Sequence, residues 1–87
     1  MGQLKVYTIN GRGRTHYRTT TNINTPIVAA TILLRLAKNH LNLLAEDGDQ
    51  GLVSRLACGT PIQIGIGKGA SEVVLIKIKD GWRGEIR

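Results

Sequence analysis

The chain has 87 residues, of which 41% are hydrophobic and 21% charged, and a formal net charge of +6. That length holds one core and no second, so residues 1–87 are read as a single domain, and the composition excludes wholesale disorder. Tyr7, Tyr17 and Trp82 are the only aromatic residues, so the core must be aliphatic.

Residues 1–10 alternate apolar and polar side chains and lack the apolar run of a secretory leader. Residues 27–34 form the longest mostly apolar stretch. Thr31 interrupts it, and Arg35 and Lys38 follow too soon for a membrane span. Val6 stands where a myristoylation motif needs Ser or Thr. Cys58 is the single cysteine, so no internal disulfide forms, and it reads as a small buried hydrophobe. The expectation is a cytoplasmic protein without membrane contact.

Residues 5–9 and 15–21 are rich in β-branched and aromatic side chains, and Asn10-Gly11-Arg12-Gly13 between them has the chemistry of a hairpin turn. Two antiparallel strands are expected, followed by a loop over residues 22–25. A helix comes next, with Thr25 as N-cap, Pro26 at its first position and Glu46-Asp47-Gly48 as its stop. At about 100° per residue, Thr31, Arg35, Lys38, Asn39 and Asn42 share one arc, and apart from His40 the rest is apolar. One small sheet face does not cover so wide an apolar arc. The preferred solution is a homodimer with Leu33, Leu36, His40, Leu43 and Leu44 at its interface. The competing one is a short second helix over residues 52–58, capped by Asp49 and ended by a left-handed Gly59. Its Leu52, Val53 and Leu56 would fold over the arc.

After Pro61 the period changes to two. Ile62, Ile64 and Ile66 alternate with Gln63 and Gly65; residues 72–79 form the next strand and residues 82–87 the last. A two-residue Asp80-Gly81 turn would pair Lys79 with Trp82. A three-residue loop over 79–81 pairs Ile78 with Trp82 and aligns Trp82 and Ile86 with Ile76 and Ile78. The second register is preferred, because it joins the apolar sets and puts Lys77, Lys79, Arg83 and Arg87 on one outer face. The fold expected is α+β: an antiparallel sheet with one long amphipathic helix on one face, in the order β-β-α-(short α)-β-β-β.

Charge points to a partner. Residues 1–24 hold Lys5, Arg12, Arg14 and Arg18 and no acid. Arginines on a glycine-hinged turn can follow a phosphate backbone, so Arg12, Arg14, His16 and Arg18 form the first expected contact set. Lys77, Lys79, Arg83 and Arg87 form the second. Lys68 adds a cation to the glycine-rich loop over residues 65–71, which lacks the spacing of a nucleotide-binding P-loop but offers free N–H groups to an anion. The stretch from Asp47 to Gly51 imitates a calcium loop, yet Leu52 and Cys58 occupy positions that need Gly and Glu. Two histidines and one cysteine far apart suggest no metal, and no cofactor is expected. The scarcity of aromatic rings favours duplex or structured nucleic acid over single strands. His16 as the proton-transfer group of a metal-free nuclease would lack a second acid or base in its hairpin. The leading expectation is a non-enzymatic nucleic-acid-binding protein. The alternative is a protein-interaction module docking on an acidic partner protein.

Overall fold

The computed structural model describes residues 2–43, 50–65 and 69–87. Its elements are β1 (Gly2–Asn10), β2 (Gly13–Ile23), α1 (Pro26–His40), α2 (Gln50–Ala57), β3 (Ile62–Ile64), β4 (Ser71–Ile78) and β5 (Gly81–Ile86). This is an α+β fold in the expected order. The strands form one sheet ordered β2-β1-β5-β4-β3. Neighbours are antiparallel except β1 and β5, which run parallel with Leu4 opposite Trp82 and Val6 opposite Gly84. The sheet is therefore mixed and not antiparallel throughout, because the first and last strands meet side by side at its centre.

Helix α1 starts as its residues dictate: Thr25 Oγ1 accepts a hydrogen bond from the Val28 N–H at 3.2 Å, and Pro26 opens the first turn. It stops at His40, well before the expected end. Asn42 takes a left-handed φ of 58°, while the Leu43 and Asn42 N–H groups donate to the carbonyls of Lys38 and Asn39. These paired bonds satisfy the last carbonyls and close the helix. Helix α2 ends the same way on the expected Gly59 (φ 85°), with Thr60 and Gly59 donating to Arg55 and Leu56. The expected stop at Glu46-Asp47-Gly48, the Asp49 cap and Leu44 lie outside the described residues.

Both helices contribute to the core on one side of the sheet. Leu4, Val6, Val73, Leu75, Trp82 and Ile86 meet Ala30, Leu33, Leu36 and Ala37 of α1 and Leu56 of α2 there. Leu33 and Leu36 are 0% and 6% exposed within this one chain, so they are core and not the surface for a second copy. Leu43 is half-buried against the same core and His40 is exposed. Leu52, Val53 and Leu56 pack on that core too, so two neighbours, the sheet and α2, cover the apolar arc of α1 from Ala29 to Ala37, while Ile27 and Val28 in the first turn stay exposed.

The β4–β5 register differs from expectation. Lys77 stands opposite Trp82 and Ile78 opposite Gly81, leaving Lys79-Asp80 as the loop. The core face of β4 is thus Val73 and Leu75, and Ile76 and Ile78 turn to the helix-free side. The cause is Gly81. At φ 143° its backbone lies so close to Gln3 that a Cβ would collide there, and the Gln3 N–H donates to the Asp80 carbonyl at 3.0 Å. Parallel pairing with β1 therefore draws Gly81 into the ladder. Strand β4, apolar on both faces from Val73 to Ile76, fits either register.

Candidate nucleic-acid interface

Strand β2 is an edge of the sheet, and all its side chains from Gly13 to Thr19 are exposed. The turn before it forms as its residues require. Asn10 Oδ1 accepts a hydrogen bond from the Arg12 N–H at 2.7 Å, and Gly13 has a φ of 121°. Strict alternation would set Arg14, His16 and Arg18 on one face. A register shift prevents this: Tyr7 opposes His16 but Val6 opposes Arg18, leaving Tyr17 as the extra residue of a bulge. Arg14 and His16 stand on the helix-free face and Arg18 on the helix side.

On the helix-free face the Tyr7 ring is the centre of a small cluster. Arg14 Cζ lies 4.7 Å from its centroid, and the His16 ring meets it edge-on at 5.6 Å. His16 Nε2 is 2.7 Å from Thr19 Oγ1, and Lys5 stands opposite Thr19. Tyr17 goes the other way and meets the His40 ring edge-on at 5.4 Å, tying the edge strand to the end of α1. Among the described residues no carboxylate pairs with Arg12, Arg14 or Arg18.

The second basic stripe does not form. Arg83 and Arg87 lie on the helix-free face, where Glu85 sits 2.6 Å from Arg87 Nη2 and 3.4 Å from Arg83 Nε. Glu72 Oε1 accepts from Arg87 Nη1 at 2.8 Å. Hydrogen bonding first to Glu85 and then to Glu72 holds the Arg87 guanidinium above its ordinary pKa. These two arginines are neutralised. Lys77 lies on the other side, its Nζ 4.2 Å from the Trp82 ring centroid, and Lys79 is in the β4–β5 loop. Lys68 lies outside the described residues, and Cys58 is exposed, not buried. Glu85 was visible beside both arginines in the sequence. Glu72 was not, since only strand pairing brings it to Arg87.

Among the described residues no three His, Cys, Asp or Glu side chains converge as a metal site, and no helix is long and apolar enough to cross a membrane. The structure defines a small two-layer α+β protein with a basic β-ribbon along one edge of its sheet. No known protein family, curated protein or solved structure matches the chain.

Proposed function

We propose that this protein is a non-enzymatic module that grips the phosphates of duplex or structured nucleic acid through the β1–β2 ribbon. The observation that carries the reading is the exposed edge strand with Arg12, Arg14 and Arg18 unpaired among the described residues, beside Lys5 and His16. The edge strand and its turn present these guanidinium groups to solvent, and guanidinium groups pair with phosphate oxygens. The Tyr7 ring already has Arg14 over it and His16 at its edge, so Tyr17 is the one exposed tyrosine ring of the hairpin, and this scarcity of rings favours duplex over single-stranded targets.

Fluorescence anisotropy with labelled duplex DNA, duplex RNA and hairpin RNA tests this at several salt concentrations. Four engaged cations predict a slope of log affinity against log salt of about −3 to −4, because each neutralised phosphate releases counterions. A flat response, or no binding at low salt, overturns the reading. The open outer edge of β2 favours one second reading, addition of an acidic extended segment of a protein partner as a sixth strand. Binding of a glutamate-rich peptide that protects the β2 amides from exchange, with nucleic acid inert, would select it.

A further inference from the structure

The two lysines that folding separates from the arginine ribbon line a cleft of their own. Lys77 and Lys79, with Asn24, Asp80, Gly81 and Trp82, bound a space of about 420 Å3. A second space of about 340 Å3 lies beside Pro26, Cys58 and Gly59, and Lys77 and Trp82 belong to the walls of both. The cleft sits by Gly2, at the opposite end of β1 from the Asn10 turn, roughly 25 Å along the strand.

Lys77 is an unusual residue for its position. It follows Val73 and Leu75 on the core face of β4, so alternation sends its stem to the helix side, where it reaches the cleft at the strand's end. There the ammonium lies 4.2 Å from the centroid of Trp82, a residue only 7% exposed. The electron-rich face of a fixed indole restrains this cation, so it is oriented before any ligand arrives. Lys79, two residues on, faces the same cleft. The first turn of α1, with its positive dipole end, adds Pro26 to the adjoining wall. Asp80 is the one carboxylate among the described lining residues.

We propose that this cleft binds a small polar phosphomonoester, such as a sugar phosphate. The phosphate sits between the Lys77 and Lys79 ammonium groups, which outweigh the Asp80 carboxylate and leave the cleft one net positive charge. The space is larger than a bare phosphate needs, and the body of the ester lies against Asn24. This site does not depend on the arginine ribbon.

Trp82 is the only tryptophan, so its indole gives one NMR signal that reports on the cleft directly. The full chain is titrated at low salt with ribose 5-phosphate, inorganic phosphate and ribose, following that signal and the amides of residues 77–81. Saturable shifts with both phosphates and none with ribose are expected. Lys79→Gln, in an exposed loop, should weaken ribose 5-phosphate about tenfold, the loss of one charge-assisted contact, at unchanged Tm. The Arg12→Ala/Arg14→Ala/Arg18→Ala protein should bind it as the wild type does, whatever becomes of nucleic-acid binding. No saturable shift with either phosphate overturns the proposal. So do shifts with ribose equal to those with its phosphate, or wild-type affinity in the Lys79→Gln protein.

Discussion

Two glycines in β5 are held by different neighbours, and their substitutions should differ accordingly. A Cβ on Gly84 would stand 2.5 Å from Leu33 Cδ1, the side chain of a fully buried leucine at the helix–sheet contact. Gly84→Ala therefore forces repacking of the core, at a cost of about 1–3 kcal/mol. For a domain this small that lowers Tm by on the order of 10 °C in a thermal melt. At Gly81 the obstacle is the Gln3 backbone, which has no rotamer to change, and the φ of 143° adds strain for any L side chain. Gly81→Ala should melt lower than Gly84→Ala. Equal melting temperatures would mean that the β1–β5 contact is looser than the geometry requires. Thr25 shows the reverse case, a residue whose part is legible from its neighbours. Thr25→Ala removes the acceptor for the Val28 N–H and should cost about 1 kcal/mol by the same melt.

Helix α2 and the β1–β2 ribbon divide the labour of the chain. Leu56 of α2 is fully buried under α1 and the sheet, so Leu56→Ala should destabilise by about 2–5 kcal/mol in urea titration. Nucleic-acid affinity, measured where the variant stays folded, should not move. The ribbon predicts the opposite. Arg12→Ala/Arg14→Ala/Arg18→Ala should lower the denaturation midpoint only slightly, because these exposed side chains have no ion-pair partner among the described residues and only the Arg14–Tyr7 contact is lost. It should make the salt slope on duplex DNA shallower by about 3, close to one for each lost cation. Arg87→Gln tests the neutralised pair beside it. Its guanidinium is engaged by Glu85 and Glu72, so the salt slope should stay as in the wild type while some stability is lost. A fall in slope equal to that of a ribbon arginine would show that those carboxylates do not hold it.

The chain buries Leu33, Leu34 and Leu36 of its helix by itself while Ile27 and Val28 stay exposed, which alters the reason for expecting an assembly. With Leu33 and Leu36 under the sheet, a second copy is not needed to keep them from water. Light scattering at micromolar concentration should give a mass near 9.5 kDa that does not rise with concentration. A doubled mass would direct attention to the helix-free face, where Ile76 and Ile78 are half-buried. Much was settled by neighbours in the chain: the Asn10–Gly13 turn, the Thr25-Pro26 helix start, the left-handed Gly59 and the order of elements. Each depends on local backbone chemistry that a few adjacent residues carry. The basic ribbon was legible for the same reason, since its arginines crowd one hairpin without an acid. Long-range pairing decided the rest. Parallel contact between β1 and β5 chose the β4–β5 register, because β4 is apolar on both faces and its period cannot name the buried one. A bulge at Tyr17 divided the arginines between two faces. Strand pairing also brought Glu72 to Arg87 and parted Lys77 from Arg83, and the burial of α1 became known only with the surfaces that cover it.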